Sequence, residues 1–480
     1  MAVKTAKRTE QVPQVYWRDL GGRILLTNDF GSHALMTEAE FRRYIKTGAA
    51  PSPALKEKLG PAGFLRERLD MEALVAGWRK RNAFLFAGPG LHILVMTLRC
   101  NQGCLYCQSG AVKSSGPGTD MSWETARRCV DFAFASPAPA ITIEFQGGEP
   151  LLNWGVLKKT VDYARALEKK KGKPLNLALI SNFTLMDDKK AEFLLSRECS
   201  ICTSLDGPAD LHDRNRPLTG ASSHAAAVKW LKYFKRRSDN QGPGYRIFKP
   251  GALLTVSKGS LGRGREIVDE YVRLGLEDIF LRPLAPIGYA KRAWDKIGYS
   301  PEEFSRFYSG TLDYIISLNA RGTRIKEKTA SMFLEKILAG RDPGFMDARC
   351  PCGAAVGQVA YDPRGQVYTC DEGRMMGWEG DDMFRIGDVR GLDYGKLAAA
   401  PASRACCASS NLEQQPMCSR CAYRPWCGVC PVYNYEAQHS LWGHMPSNGR
   451  CAVFMGIFDA IFRALAAPKK AKILAGWTGK

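Results

Sequence analysis

The 480-residue sequence lacks any apolar run of roughly 18 residues, the length that a membrane-spanning helix requires. Its basic start, residues 1–14, also lacks the apolar stretch of a signal peptide, so we expect a cytosolic protein that is not attached to a membrane. The composition shows no bias toward disorder, since 45% of the residues are hydrophobic and 24% are charged. These absences leave a folded chain that is long enough for several domains.

Acidic residues are scarce relative to basic ones. The chain has 68 Lys and Arg against 48 Asp and Glu, a formal net charge of +20. A charge of this size attracts polyanions or an acidic protein segment at long range, although it does not identify the partner. The chain also has 16 cysteines. Because cytosolic thiols stay reduced, metal or cluster ligation is favoured over disulfides.

Residues 1–88 are predicted to form a small winged-helix-like domain. A glycine pair at 21–22 separates two short apolar segments and indicates a β-hairpin, and Thr37 with Glu40 indicates the capping box of a helix. A second short helix is predicted over residues 53–59. Modules of this kind bind nucleic acid or receive a peptide as an added strand.

Residues 89–290 alternate between short apolar strands and amphipathic helices. Six such units predict a parallel sheet buried on both faces, either open or curled into a partial barrel, with the reaction site at the carboxyl ends of the strands. The predicted strands are residues 91–98, 141–145, 175–180, 201–205, 252–256 and 278–281. The predicted helices are residues 122–135, 156–170, 187–196, 224–235 and 266–274.

The remaining chain divides into three parts. A helical connection is expected over residues 291–345, with its helical pattern at 301–339. Residues 346–455 are rich in Cys, Gly and Pro and have too little apolar periodicity to form a core alone, so we expect ligated metal to hold them together. The last part, residues 456–480, comprises most of an amphipathic helix over 454–467 and a solvated basic tail from Pro468.

The strongest motif follows the first strand of the alternating region and contains Cys100, Cys104 and Cys107. Three thiolates within eight residues on a loop can hold three irons of a cubic iron–sulfur cluster and leave the fourth iron open. A zinc knuckle short of one ligand and a chance group of buried cysteines are the alternatives. The motif therefore favours a reactive iron site.

The spacing of these cysteines, with an aromatic residue before the last, resembles that of the radical S-adenosylmethionine (SAM) enzymes. The resemblance implies that Cys100, Cys104 and Cys107 ligate a [4Fe–4S] cluster whose free iron chelates SAM. It also implies that reduction of SAM releases a 5′-deoxyadenosyl radical. Tyr106 would lie against the adenine.

A second motif, Gly147, Gly148, Glu149 and Pro150, ends the next predicted strand. The SAM ammonium group needs acceptors, and a glycine pair lets backbone carbonyls approach it while Glu149 adds negative charge. Alone this is an ordinary turn at the end of a strand. Its place on the strand after the three cysteines makes it a predicted SAM contact.

Further candidates follow the third and fourth predicted strands. Ser181 and Asn182 resemble the residues that contact the ribose in this family, and Ser204 begins another element that resembles a common one near SAM. Arg216 is a candidate partner for a carboxylate. Turn residues that cap helices are the alternative interpretation of all four.

The C-terminal cysteines form a third constellation. Two CxxC units alone would be typical of a zinc ribbon. The whole set resembles the SPASM extension of radical SAM enzymes, which holds two auxiliary [4Fe–4S] clusters, although the gap between Cys427 and Cys430 has two residues where the SPASM pattern has three. The implied ligands are Cys352, Cys370, Cys430 and, as the fourth, Cys350 for the first cluster, and Cys418, Cys421, Cys427 and Cys451 for the second. An open site on the first cluster is the alternative to Cys350.

Five cysteines remain outside these sets. Cys129, Cys199 and Cys202 lie in helix or strand patterns and are predicted to be small buried hydrophobic residues. For the pair Cys406 and Cys407 a surface loop is favoured over a redox or substrate contact.

Asp371 directly follows Cys370. In the sulfatase-maturing enzymes that the sequence resembles, a carboxylate at this position acts as a general base toward the substrate, which implies the same role for Asp371. Glu372 and ordinary loop solvation are the alternatives.

Taken together, the sequence predicts an α/β fold: a partial (β/α)6 radical SAM barrel with an N-terminal winged-helix-like peptide-recognition domain and a C-terminal cysteine-rich SPASM domain. Short sequence segments spread along the chain, such as residues 84–92 and 370–375, resemble segments of the radical SAM maturases of His-Xaa-Ser peptide systems.

This resemblance implies SAM, three [4Fe–4S] clusters and an intramolecular crosslink in a precursor peptide whose leader binds the N-terminal domain. It also implies an electron donor such as flavodoxin or ferredoxin, and a second maturase. The alternatives are a radical SAM enzyme that acts on RNA or on a protein side chain without crosslinking, and a zinc-containing RNA-binding protein.

Overall fold

The N-terminal part begins with the predicted hairpin, followed by a third antiparallel strand and helices. In the computed structural model, which describes residues 14–112, 116, 118–242 and 244–479, Gly21 and Gly22 both have a positive φ at the hairpin turn. Thr37 and Glu40 form the predicted capping box. The predicted hairpin and both helices are confirmed. The elements are β1 (Val15–Asp19), β2 (Ile24–Asn28), β3 (His33–Met36), α1 (Glu38–Thr47), α2 (Pro53–Leu59) and α3 (Met71–Arg81).

The predicted alternation of strands and helices is present, with small shifts at the element ends. The strands are β4 (Leu91–Thr97), β5 (Ile141–Gly147), β6 (Leu175–Ile180), β7 (Cys199–Ser204), β8 (Gly251–Thr255), β9 (Asp278–Ile279) and β10 (Leu281–Arg282). The helices are α4 (Trp123–Phe134), α5 (Trp154–Lys171), α6 (Asp188–Ser196), α7 (Ala209–Asn215), α8 (Ser223–Asp239), α9 (Gly264–Arg273) and α10 (Tyr289–Arg292). Strands β4, β5, β6, β7, β8 and β10 are parallel neighbours in that order, which confirms the partial barrel.

The two faces of the sheet differ in burial. On β5, Ile143 and Phe145 are fully buried, whereas Glu144 and Gln146 on the other face are half-buried. The expectation that both faces are buried is therefore wrong for this strand. Because successive side chains of a strand point to opposite faces, the second face presents polar groups to the inside of the barrel.

The C-terminal part continues the same sheet. Strand β12 (Gln358–Tyr361) pairs in parallel with β4. Its hairpin partner β13 (Gln366–Tyr368) and then β14 (Arg385–Asp388) follow, so nine strands in the described residues share one sheet. The elements leading to it are α11 (Trp294–Ile297), α12 (Pro301–Ala320), β11 (Lys326–Glu327) and α13 (Lys328–Leu338). The cysteine-rich part and the end contain β12 (Gln358–Tyr361), β13 (Gln366–Tyr368), α14 (Asp371–Trp378), β14 (Arg385–Asp388), α15 (Tyr394–Ala399), α16 (Pro401–Ser409), α17 (Pro431–Gln438), α18 (Gly449–Leu465) and α19 (Pro468–Ala475).

The end of the chain corrects one expectation. From Pro468 the chain forms α19 instead of a solvated tail, and Leu474 and Trp477 are buried. The indole N–H of Trp477 donates to Asn319 Oδ1 at 3.1 Å, which fixes α19 against α12. None of the described helices is by itself long and apolar enough to cross a membrane; α18 and α19 reach that length and apolarity only together, with a bend of 111° between them.

Candidate active site

The three N-terminal cysteines lie on the loop that leaves β4 at the carboxyl edge of the sheet. The Gln102 N–H donates to Cys100 Sγ at 3.4 Å, and Nη1 of Arg216 lies 4.0 Å from Cys104 Sγ. Burial raises the pKa of Cys100 to about 12 and that of Cys104 to about 11. Thiols in such a setting bind metal with loss of their protons, and their number and loop position fit three corners of an iron–sulfur cluster.

The glycine pair holds this loop in place by close packing against it. Gly148 N–H donates to Thr97 O at 2.8 Å, and a Cβ on Gly148 would lie 2.3 Å from Arg99 O. Gly147 has a φ of 153°, and a Cβ there would lie 2.2 Å from Thr97 O. The pair thus lets β5 run directly beside the backbone that leads into Cys100.

Gly148→Ala is expected to destabilise the protein by about 2 kcal/mol, because the new methyl group would have to displace backbone. Thermal unfolding of the reconstituted protein measures the effect, and iron analysis shows whether the cysteine loop still holds its cluster. Gly155→Ala is the matched control, since no atom lies within 4 Å of a Cβ at that helical position. Equal unfolding temperatures for the two variants would contradict this role of Gly148.

Glu149 joins the ends of β5 and β6. Its side chain is fully buried, and its oxygens accept from Leu151 N at 2.9 Å, Ser181 Oγ at 2.8 Å and Asn182 N at 2.8 Å. Burial raises its pKa to about 7. Pro150 is the first residue of the short 3-10 helix that follows. A direct contact of Glu149 with SAM stays a prediction; the structure shows a carboxylate that orders two strand ends.

Tyr106 and Arg216 belong to a buried cluster around Asp206. The Tyr106 hydroxyl donates to the Asp206 carboxylate, and Arg216 Nε donates to the same oxygen at 3.2 Å. The Arg216 guanidinium also lies 5.1 Å from the centre of the Tyr106 ring. Arg216 therefore has an internal carboxylate partner. Asp206, two residues after Ser204, is the centre of this cluster, although the sequence analysis does not identify it as a site residue.

Ser204 and Asn182 mark the ends of neighbouring strands. Ser204 is the last residue of β7 and is half-buried. The amide nitrogen of Asn182 donates to Asn101 Oδ1 at 3.1 Å and lies 4.0 Å from Cys100 Sγ. The structure thus brings Asn182 to the cysteine loop, whereas contacts of either residue with SAM stay predictions.

Asp371 lies between the first auxiliary cysteines and the N-terminal cysteine loop. It is mostly buried, and Arg374 Nε donates to its Oδ1 at 2.9 Å. Arg374 also donates from Nη1 to Ser109 O at 3.0 Å, and Ser109 Oγ is 3.3 Å from Cys107 Sγ. The first turn of α14, which begins after Cys370, therefore connects the two cysteine regions.

Two other carboxylates, Glu144 and Glu372, lie near Asp371, and Glu144 belongs to no motif of the sequence analysis. Burial raises the pKa of Glu144, and the nearby Asp371 raises it further while Arg282 lowers it. Burial also raises the pKa of Glu372, whose Oε1 lies 3.9 Å from Arg282 Nη2. This acidic group gives the barrel interior several sites that can take up a proton.

Four cysteines form one buried group in the C-terminal part. Cys352, Cys370 and Cys430 are the predicted members, and each is less than a tenth exposed. The fourth member is Cys406 on α16, so the expectation of a surface loop for it is wrong. Cys350, predicted as the fourth ligand, lies outside this group, and its Sγ accepts from Leu412 N at 3.3 Å. The assignment of Cys350 to the first set stays a prediction, whereas the buried group contains Cys406 as its fourth cysteine.

The second predicted set surrounds a small apolar cavity. Its lining includes all four predicted members, Cys418, Cys421, Cys427 and Cys451. Arg450 lies beside this set and beside Cys430, and its Nε and Nη2 are buried with no hydrogen-bond partner among the described residues. Arg450 Nη2 also forms an ion pair with Asp347 Oδ2 at 3.7 Å, and an anionic cluster beside this guanidinium would add partners for its remaining N–H groups. No three His, Cys, Asp or Glu side chains in the described parts are placed to hold a single metal ion.

Comparisons with known proteins match this arrangement. Residues 94–241 match the family described as the Radical SAM superfamily. The cysteine-type anaerobic sulfatase-maturating enzyme of Clostridium perfringens is 23% identical over 321 residues, which cover 64% of this chain and 80% of that enzyme.

Two solved structures share the fold. The native anSMEcpe structure with bound AdoMet and the Kp18Cys peptide has a TM-score of 0.65 at 20% identity and covers 81% of this chain and 100% of that one. Streptococcus suis SuiB bound to the precursor peptide SuiA has a TM-score of 0.55 at 14% identity and covers 91% of this chain and 98% of that one.

These findings decide against a zinc-containing RNA-binding protein. The radical SAM domain implies SAM and a [4Fe–4S] cluster as cofactors, in agreement with the thiols on the loop after β4. The chain is therefore a radical SAM enzyme, homologous to the anaerobic sulfatase-maturating enzymes.

Proposed function

We propose that this enzyme modifies a ribosomally synthesised precursor peptide by forming an intramolecular side-chain crosslink, as in the His-Xaa-Ser peptide systems that its sequence resembles. SuiB and anSMEcpe, which share its fold, are both known with bound peptides. The observation that carries the proposal is an open strand edge in the N-terminal part, which also contains a helix with exposed apolar side chains. This arrangement suits the capture of a peptide leader as an added strand.

The open edge belongs to β3. Within the described residues β3 pairs only with β2, so its other edge has free backbone groups. Helix α3 is anchored at the turn into β3, where Arg81 Nη2 donates to Asp29 O at 3.4 Å. Its Met71, Val75 and Trp78 recur at helical spacing and are exposed. A peptide added to β3 would lie near the turn to which the end of α3 is anchored, and the net charge of +20 favours an acidic leader.

The module is fixed to the rest of the enzyme through β1 and through the start of β3. Arg18 donates from Nε and Nη2 to the two carboxylate oxygens of Asp459 on α18, at 2.6 and 2.7 Å. The His33 ring lies 6.0 Å from that of Trp426 and 5.5 Å from that of Phe462, and burial lowers its pKa to about 4. A leader bound at β3 would therefore be held at a fixed place relative to the cluster-binding part.

Trp78→Ala is expected to weaken binding of a precursor peptide of the His-Xaa-Ser type by at least about tenfold, because exposed tryptophans at binding surfaces contribute strongly to affinity. Fluorescence anisotropy of the labelled peptide measures this change. Trp442→Ala is the matched control, since both side chains are 46% exposed and Trp442 lies in the cysteine-rich part. Equal affinities of the two variants for the peptide would show that the leader does not bind at Trp78.

The chemistry is divided between the bound groups and the chain. When bound, SAM and its [4Fe–4S] cluster supply a 5′-deoxyadenosyl radical that removes a hydrogen atom from the peptide. Cys100, Cys104 and Cys107 would hold that cluster, and the two C-terminal cysteine groups would hold two auxiliary clusters. Asp371 would accept the proton that the substrate radical loses when the crosslink closes, with Arg374 fixing its orientation, and the electron lost in the same step would pass to an auxiliary cluster.

Co-expression with the precursor peptide tests the proposal. A crosslink removes two hydrogens per site, and tandem mass spectrometry of the product is expected to show missing fragments between the linked residues. An unchanged peptide in the presence of active enzyme would contradict the proposal.

A second candidate is the oxidation of a single side chain without crosslinking. The homology to the sulfatase-maturating enzymes and the position of Asp371 directly after Cys370 favour it. Complete fragmentation between all residues of a modified peptide would support this candidate over the crosslink.

A further inference from the structure

The buried group around Cys406 completes the first auxiliary site. Cys352, Cys370, Cys406 and Cys430 belong to a single buried cluster whose other members include Met376 and Phe384. Cys406 is fully buried, and the other three thiols are between 3% and 7% exposed. A cubic cluster has four iron corners, and this group supplies one thiol for each.

Hydrogen bonds hold Cys406 in this position from two directions. Cys352 N donates to Ser410 Oγ at 2.9 Å, and that hydroxyl donates to Cys406 O at 2.6 Å, so the end of α16 is joined to the segment that carries Cys352. The hydroxyl of Thr369 lies 4.0 Å from Cys370 Sγ and also interacts with the Cys406 thiol. Helix α16 and the segment before α14 therefore both bring a cysteine into the same buried group.

Two of the other thiols receive bonds that stabilise a thiolate. Cys370 Sγ accepts from Gly373 N at 3.3 Å at the start of α14, and Cys430 Sγ accepts from Tyr433 N at 3.4 Å at the start of α17. Backbone N–H groups at the start of a helix favour negative charge. Burial raises the pKa of Cys370, and the nearby Cys430, Cys352 and Cys406 raise it further. Four buried thiols in one apolar group suit the four corners of an iron–sulfur cluster, which is larger than a single metal ion.

Cys350 has different surroundings. It lines a groove with Lys336, Arg349 and Glu413, and its Sγ lies 3.9 Å from both Ser410 O and Asn411 Oδ1. Cys352 is only two residues away, but it is buried within the thiol group while Cys350 is not.

We propose that Cys406, and not Cys350, is the fourth protein ligand of the first auxiliary cluster. The inference rests on the proposed function, because it assumes that this cluster is present. Full ligation by four cysteines leaves no open iron for a substrate group at this cluster. Its role is then confined to carrying electrons, and the peptide is held by other parts of the enzyme.

The test compares Cys406→Ala with Cys350→Ala in the full chain after anaerobic reconstitution. Loss of a ligand is expected to lower the iron content of Cys406→Ala by roughly one to four atoms per chain. Electron paramagnetic resonance should show that the signal of one auxiliary cluster is lost or altered. The spectra are also recorded with Cys100, Cys104 and Cys107 replaced by alanine, where only auxiliary clusters contribute. Cys350→Ala is expected to match the parent.

Two controls separate ligation from the loss of a cysteine. The first control is Cys407→Ala. Cys407 follows Cys406 on α16, its side chain points about 100° further round the helix, and it is half-buried. Cys129→Ala removes a fully buried thiol far from the group. Both are expected to keep the parent's iron and spectrum. Cys406→Ser retains the size of the side chain and is expected to fold normally while altering the spectrum.

The outcomes distinguish this inference from the function it depends on. Parent-like iron and spectra in both Cys406 variants, with losses in Cys350→Ala, would overturn the inference and leave the function intact. A parent without auxiliary iron would contradict both. Altered spectra in the Cys406 variants alone would establish the ligand.

Discussion

Simultaneous replacement of Cys100, Cys104 and Cys107 by alanine is expected to reduce 5′-deoxyadenosine formation to background. The three thiols lie together on the loop after β4 and are the predicted ligands of the cluster that binds SAM. Iron is expected to fall by about four atoms per chain, whereas the C-terminal cysteine groups keep theirs because they share no residue with this loop. Chromatography of the reaction products and iron analysis measure the two effects.

The matched control is the double variant Cys129→Ala and Cys199→Ala. Both thiols are buried outside the three cysteine groups, so iron and activity should remain close to those of the unchanged enzyme. Retention of SAM cleavage by the triple variant would refute the role assigned to the loop. A loss of all iron would instead show that the C-terminal groups depend on the barrel for folding.

Asp371→Asn is expected to lower the rate of peptide modification by about 10²-fold or more, the usual contribution of a general base. The change removes a proton acceptor but keeps the size of the side chain and leaves the bond from Arg374 to Ser109 O. Cleavage of SAM does not need this base, so formation of 5′-deoxyadenosine should be largely retained. Parallel measurement of 5′-deoxyadenosine and modified peptide tests this separation.

Glu372→Gln is the control for this variant. Glu372 is the adjacent carboxylate and the alternative base, and it faces Arg282. If Asp371 is the base, the Glu372→Gln enzyme modifies the peptide at a rate near that of the unchanged enzyme. The reverse result would transfer the role to Glu372, and equal losses in both variants would indicate a shared proton.

The parts of the fold that depend on short segments of sequence could be predicted. Strand β6 has the predicted bounds, Leu175–Ile180, because its apolar run is short and flanked by turn residues. The cysteine loop and the glycine pair were found for the same reason, since each is a compact motif at the end of a strand. The role of the glycines was only partly foreseen: Gly148 is required by the backbone of Arg99, a contact that appears only when β4 and β5 pair.

Other features depend on contacts between residues distant in sequence. Strand β12 extends the barrel sheet by pairing with β4, although neither strand carries a signal for the other. Cys406 lies in a helix whose local sequence does not mark it as a ligand, and its partners come from three other segments. Cys350 is the ligand that the sequence predicts because it is close to Cys352 along the chain. Proximity in sequence does not show that Cys350 and Cys352 lie in different surroundings.

The most direct test of the account is SAM cleavage by the unchanged enzyme. The fully reconstituted protein is reduced with dithionite, incubated with SAM and analysed for 5′-deoxyadenosine. We expect the product to form only with reductant and with an intact N-terminal cluster. A protein that contains this cluster yet forms no 5′-deoxyadenosine would contradict the assignment of Cys100, Cys104 and Cys107 to an iron site that is open to SAM.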